Sequence, residues 1–368
     1  MKKYSSVQVA FEGHPDRVCD IVCDALLDEY LREDPDSSID IGAMLMKNRI
    51  VLAGEVSSGA KFDVDDVVRR TLKSIGYTDE KFGLDAYKVD IEKNFKKQSQ
   101  DIARGINADD KSDQGAGDIA TIYGFATDYS NNYMPTSLEI AWNIANRIRE
   151  VFLSGIIEGI GPDGKVQVIM EYDELKAVKI EAIILAIQHL PDVDSEWLRM
   201  EIMENVLNVV CGGYTCENTK ILVNTAGKFL LGGPMVELGM SGTKMDMYTY
   251  GGFANSGGNT FSGKDPYKID RTGSLMARKV AKYIVEQGMA EKCEVMASYA
   301  IGLVEPVIVD IDTFNTSNDD SEDIKKIVQE EFSFSTAEIV ETLDLLNPIY
   351  QNLSKYGHFG RDELEWEK

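Results

Sequence analysis

Three times along this chain an apolar run is followed by an acidic cap and then by an amphipathic helix pattern. VLAGEV (51–56) leads into KFDVDDVVRRTLKSIGY, AIILAIQ (182–188) into LPDVDSEWLRMEIMENVL, and PVIVDID (306–312) into NTSNDDSEDIKKIVQEEF. Short apolar runs fit strands, and Asp ahead of a 3.6-residue apolar period fits a helix start. Identity between the three units is slight, so their shared order carries the reading. It predicts an α/β chain of three subdomains of similar topology, each a small sheet with helices on one face. A further helix is predicted from Arg17 to Leu31. Its apolar stripe is Val18, Ile21, Val22, Ala25, Leu26 and Tyr30, and Pro15 suits the first helical position. Cys19 and Cys23, four apart on that helix, read as packing residues.

The chain has 368 residues, of which 43% are hydrophobic, enough for a large core and two or three domains. Its formal net charge of −24 argues against nucleic acid or an anionic membrane as partner. An anionic ligand must then find a locally basic pocket, which gives clustered lysines weight. No apolar leader and no apolar run of about 18 residues is present. The five cysteines, Cys19, Cys23, Cys211, Cys216 and Cys293, show no zinc spacing and read as reduced thiols of a cytoplasmic protein. The three histidines, His14, His189 and His358, are far apart in sequence, which disfavours a histidine-built metal site.

Function is most legible in GGFANSGGNTFSGKDPYKID (251–270). Gly251, Gly252, Gly257, Gly258 and Gly263 are followed by Lys264, Asp265, Lys268 and Asp270. Glycine lets a ligand approach the backbone, lysines supply point charges for a polyphosphate, and aspartates suit Mg²⁺. A mobile glycine-rich surface loop is the plain alternative. Within it, residues 258–264 match GxxxxGK, with MDMYTY (245–250) as a candidate entering strand and VIVD (307–310) as a candidate acid-ended strand. Asp265 stands where a P-loop needs a metal-binding hydroxyl, so that reading is weak. Glu12-Gly-His14-Pro-Asp16-Arg17 sets a histidine, an acid and a base at a helix N-terminus, where the dipole favours anions; an ordinary cap is the alternative.

These segments occur in order with KQSQDI (97–102), DQGAGD (113–118), GPDGKVQV (161–168), LLGGP (230–234), GTKMDMYTYGG (242–252), SYAIGLVEP (298–306) and YGHFGR (356–361). Together they resemble the S-adenosylmethionine synthetase (methionine adenosyltransferase) family. The resemblance implies three interleaved subdomains related by a pseudo-threefold, with segments near 1–102, 113–232 and 233–368. It implies sulfur attack by methionine on the ribose 5′ carbon of ATP, loss of the triphosphate, and its hydrolysis to pyrophosphate and phosphate. It also implies a homodimer with shared active sites, possibly paired into a tetramer. On this resemblance His14, Lys165, Lys244 and Lys264 act in catalysis. Arg17, Asp163, Phe229, Glu237 and Lys268 join them in holding ATP, with Phe229 stacked on adenine. Glu55, Gln98, Asp118 and Ile301 hold methionine, Asp101 belongs to a gating loop, and Asp16 and Asp270 each hold one of two Mg²⁺.

The chain departs from the family pattern at several positions. Thr243 replaces an arginine that meets the polyphosphate, and Arg17, which stands for a lysine, is the candidate to compensate, with Arg271 next. Gly42 replaces a glutamate that binds a monovalent cation, so potassium activation is expected to be weak. Tyr248 replaces an aspartate, Asn255, Ser256, Asn259 and Thr260 break an Arg-His-Gly-Gly-Gly-Ala run, and GAGDIA (115–120) replaces Gly-Ala-Gly-Asp-Gln-Gly. These departures keep open a synthetase-like protein without synthesis, serving as regulatory partner or triphosphatase.

Overall fold

The computed structural model of the protein describes residues 4–97, 114–173, 176–215, 217–257 and 259–368. The chain lays down one pattern three times: a leading strand, a long helix, a hairpin and a second helix. First come β1 (Tyr4–Ala10), α1 (Pro15–Glu33), β2 (Ser38–Met46), β3 (Arg49–Ser57), α2 (Val64–Ile75) and β4 (Asp90–Lys96). Next come β5 (Ala120–Thr127), α3 (Thr136–Leu153), β6 (Ile160–Asp173), β7 (Lys176–His189), α4 (Ser195–Ile202) and β8 (Lys220–Val223). The third set is β9 (Gly239–Met240), a short helix α5 (Met245–Tyr248), α6 (Ile269–Glu286), β10 (Lys292–Tyr299), β11 (Ile308–Asp312) and α7 (Ser321–Glu331). The chain closes with α8 (Thr336–Thr342) and α9 (Tyr350–Tyr356).

The three strand, cap and helix units read from sequence are the three hairpin-to-helix passages. Asp63, Asp194 and Asp320 are the N-caps of α2, α4 and α7, each accepting from a backbone N–H two residues on. Gly76 closes α2 at φ 109°, a conformation glycine adopts freely.

Pairing exchanges strands between these sets in a cycle. The sheet orders are β1-β6-β7-β8, β9-β2-β3-β4 and β11-β10-β5. Each leading strand therefore joins the hairpin of another set: β1 lies antiparallel to β6 with Val7 opposite Val168, β5 to β10, and β9 to β2. In the first two sheets the strand after the second helix returns parallel to the hairpin, β8 on β7 and β4 on β3. This is the interleaved, pseudo-threefold α/β architecture that the sequence implies.

Each sheet carries one long helix: α1 packs on β2, α3 on β1 and β6, and α6 on β5 and β10. The strands alternate accordingly. In β1, Val7 and Val9 are buried under α3 while Tyr4, Ser6 and Gln8 face away and are exposed. No helix among the described residues is long and apolar enough to cross a membrane.

Candidate active site

The site begins where β1 runs on into α1. Phe11 N donates to Gly164 O at 2.8 Å and Gly13 N to Pro162 O at 3.1 Å, so residues 11–14 lie against the start of β6. A Cβ on Gly13 would sit 2.5 Å from that of Pro162, so the approach needs glycine. This contact brings His14, Asp163 and Lys165 together. The chain then folds so that Gly233 N donates to Asp163 Oδ2 at 2.7 Å, and Glu237 follows one turn on. Met240 N donates to Asp16 Oδ1 at 2.8 Å, and Lys244 donates to Asp16 Oδ2.

His14 is the centre of this group. Its Nδ1 accepts from Asp16 N at 3.3 Å as the cap of α1. Its ring is buried, its Nε2 has no hydrogen-bond partner, and Glu237 Oε2 lies 3.5 Å away. Burial, against the pull of Glu237 and Asp16, lowers its pKa to about 4. A neutral ring whose Nδ1 accepts carries its proton on Nε2. Burial pulls the Asp16 carboxyl up, but the Lys244 and Met240 donors outweigh it and hold it below the usual range. Burial raises Asp163 to about 6, against the Gly233 donor.

A second group forms around Lys264. Its Nζ lies 2.7 Å from Asp270 Oδ2 and 4.0 Å from Asp118 Oδ2, and Asn259 Nδ2 donates to Asp270 Oδ1 at 2.5 Å. Lys268 pairs with Asp265 at 3.2 Å and feels Asp40 and Glu55. Glu55 lies 3.4 Å from Lys96. Ile301 joins through the backbone: Gly302 N donates to Ala116 O and Ala116 N to Leu303 O, which places the turn after β10 against the 115–118 loop. Among the described residues no hydrogen bond or ion pair joins this group to the His14 group; both instead attach to α1. Phe229 lies in the loop between β8 and Gly233, its N–H 3.3 Å from His189 Nε2. Gln98 and Asp101 lie outside the described residues.

Two expectations are corrected. Arg17 does not reach the phosphate site. Its guanidinium turns inward, is 1% exposed, donates to Ala10 O, Ser354 O and Lys355 O, and lies 4.7 Å from the Trp142 ring centroid. Three fixed carbonyl acceptors and an aromatic face satisfy it in the core. Arg271 is equally committed, in a buried pair with Asp24. Second, MDMYTY contains a helix, Met245–Tyr248, and no strand enters the glycine-rich stretch. Asp265 there accepts from Ile39 N and Tyr267 N, which makes it a loop anchor and removes the P-loop reading. Tyr248, where the family pattern has an aspartate, is buried beside His358 and Trp142 in the aromatic core.

Sequence reasoning missed what holds the two groups. Asp16, Asp20, Asp24 and Asp28 recur every four residues on α1 and all are buried. Asp20 accepts from Gly242 N, Asp24 from Gly263 N and Arg271, and Asp28 from Tyr350 N and Gln351 N. The four-residue spacing on an otherwise apolar helix was the available signal. Asp40, beside Lys264 and Lys268, and Asn259 were missed as site residues too.

Sequence profiles of the S-adenosylmethionine synthetase N-terminal, central and C-terminal domains match residues 2–100, 113–229 and 231–368. The chain is 41% identical to an S-adenosylmethionine synthase of Finegoldia magna over 97% of its length and 94% of the relative's. Against proteins of the same name, identity is 37% for Clostridium tetani and 38% for Mycoplasma capricolum, over all of this chain and 97% and 95% of theirs.

Proposed function

The chain belongs to the S-adenosylmethionine synthetase family and is a methionine adenosyltransferase, and from that premise we propose how its residues divide the work. The methionine sulfur attacks the ribose 5′ carbon of ATP. The C–O bond breaks with its electrons going to the triphosphate, and a sulfonium forms. A neutral thioether needs no base, so catalysis consists of alignment and of stabilising charge on the leaving oxygen. The observation that carries this reading is the buried Nε2–H of His14, which makes no hydrogen bond and lies 3.5 Å from Glu237 Oε2, with Asp16, Lys244 and Lys165 also in its field. That donor faces the bridging oxygen. Lys165 and Lys244 take the phosphates at this end, and Lys264 and Lys268 take phosphates at theirs. Asp163 and Glu237 contact the nucleoside, with Phe229 on the adenine. Glu55, Gln98 and Asp118 hold methionine, beside Ile301.

Asp16 and Asp270 each have an ammonium at their carboxylate, which marks both as places where positive charge is favoured. With phosphate oxygens completing the shell, that donor set fits Mg²⁺, and Asp16 and Asp270 would each hold one. Bound there, the ion neutralises charge on the triphosphate. Among the described residues no hydrogen bond or ion pair joins the two groups, and along β2, β6 and β10 buried residues alternate with partly exposed ones. Both facts support a homodimer with sites completed across it, formed through the partly exposed faces. Incubation with ATP, methionine and Mg²⁺ yields S-adenosylmethionine by mass, with phosphate and pyrophosphate; triphosphate hydrolysis without that product would establish the regulatory or triphosphatase reading instead.

With Arg17 and Arg271 committed elsewhere, neither of the two candidate arginines compensates for the charge absent at Thr243. Thr243 is exposed and its hydroxyl donates to Met240 O at 3.0 Å. Thr243→Arg tightens tripolyphosphate binding about tenfold, the worth of one charged hydrogen bond; an unchanged affinity by calorimetry refutes this. Gly42 is exposed on β2, where a Cβ would lie 3.5 Å from Ser241 Oγ, and the position itself supplies no carboxylate. KCl titrated at constant ionic strength activates weakly, and Gly42→Glu increases the response. Strong saturable activation of the parent protein by K⁺ contradicts the expectation.

A further inference from the structure

α1 meets the two lysine-bearing loops in the same way. Asp20 Oδ1 accepts from Gly242 N at 2.8 Å, and Asp24 Oδ1 accepts from Gly263 N at 2.9 Å. Both glycines have positive φ, 78° and 77°, and neither has room for a side chain: an added Cβ would lie 1.9 Å from Thr260 Oγ1 or 2.1 Å from Ile41 O. Lys244 follows the first glycine by two residues and Lys264 follows the second by one. Each carboxylate thus fixes one amide of a sharply turned backbone just ahead of a lysine.

The two aspartates differ in what else they hold. Asp24 also binds Arg271 and Ser354, a buried network whose loss would disturb the core at large. Asp20 is fully buried, its Oδ2 has no hydrogen-bond partner, Gly242 N is the backbone donor it meets, and the Ser262 and Tyr248 hydroxyls also interact with its carboxyl. A buried carboxylate with one oxygen unsatisfied is costly, so packing alone would favour an apolar residue there. What the carboxylate does supply is a fixed acceptor on a rigid helix. One turn earlier Asp16 takes Met240 N and the Lys244 ammonium. Asp20 and Asp16 therefore grip the 240–244 loop at two amides two residues apart, and only then does Lys244 emerge.

We propose that Asp20 is a positioning residue for polyphosphate, acting through Gly242 to hold Lys244 where the phosphates lie. This rests on the assignment of Lys244 to phosphate above. It requires a hydrogen-bond acceptor at position 20 and no negative charge. It also requires that the effect of removing Asp20 pass through Lys244.

The test is a double-mutant cycle read by calorimetric binding of tripolyphosphate with Mg²⁺, on Asp20→Ala, Lys244→Ala, the double variant and Asp20→Asn. Lys244→Ala weakens binding about 10–100-fold, as expected for one charge-assisted hydrogen bond. Asp20→Ala weakens it about tenfold in the parent and less than about twofold in the Lys244→Ala background, because groups acting in series do not add. Asp20→Asn, which keeps an acceptor for Gly242 N, stays within about threefold of the parent. Losses that multiply in the double variant overturn the proposal, as does parent-like binding by Asp20→Ala. A loss in Asp20→Asn as large as in Lys244→Ala overturns it as well, and this arm decides the matter if Asp20→Ala does not fold. If Lys244→Ala binds as the parent does, the phosphate assignment fails first and the proposal fails with it. Because the readout is binding, it does not depend on whether the parent makes S-adenosylmethionine.

Discussion

His14→Ala lowers the rate of S-adenosylmethionine synthesis about 10²–10³-fold while ATP binding changes little, the cost of deleting one preorganised donor at developing charge. The ring is held for this task on every side. Asp16 N occupies Nδ1, burial keeps the imidazole neutral at physiological pH with a pKa of about 4, and Nε2–H makes no hydrogen bond, with Glu237 Oε2 3.5 Å away. Most of the bridging oxygen's negative charge appears only as the C–O bond breaks, so the donor acts chiefly in the transition state. His14→Gln restores a donor without the ring geometry and recovers part of the loss. Lys165→Ala falls in the same range, since its ammonium sits in the same field as His14. Single-turnover rates with ATP affinity measured separately decide this. A His14→Ala protein that synthesises at near-normal rate, or that loses ATP affinity in proportion to rate, removes His14 from the chemistry.

Arg278→Met destabilises the fold by about 3–5 kcal/mol, the loss expected when one partner of a buried ion pair is removed. Arg278 on α6 is fully buried and pairs with Glu367, its Nε 3.0 Å from Oε1 and its Nη2 2.9 Å from Oε2. The same guanidinium donates to Phe125 O, Asn132 O and Tyr133 O. Methionine fills the volume but leaves Glu367 as a buried charge whose remaining partner is Gly360 N. Adding Glu367→Gln keeps that acceptor, removes the stranded charge and recovers part of the loss. Denaturant midpoints read the order parent, double variant, single variant. A single variant within about 1 kcal/mol of the parent shows that the pair carries little net stability.

Much of the site was legible because its residue types have few other uses in those places. His14 ahead of Pro15 and Asp16 could be read as a helix start, and His14 is the cap of α1. Lys264, Lys268 and Asp270 after glycines could be read as polyphosphate chemistry, and Lys264 does meet Asp270. The family pattern then joined segments that spacing could not. Arg17 shows where this stops. Its charge counted toward the phosphates in sequence, yet three carbonyls and Trp142 hold it in the core. Asp20, Asp24 and Asp28 failed in the opposite direction, since acids on an apolar helix ordinarily face water.

By itself, the sequence determined the local elements: three strand, acidic cap and helix passages, and the long helix after Pro15. Those depend on capping and periodicity, which act over a few residues. Only the tertiary structure decided that β1, β5 and β9 each leave their own set to complete another sheet, and that the aspartates of α1 face loops more than 200 residues away. Strand pairing uses backbone groups that every residue carries, and a carboxylate accepts a hydrogen bond from water as readily as from Gly242. Neither choice is written in residue type, and both are settled by which surfaces the assembled core removes from water.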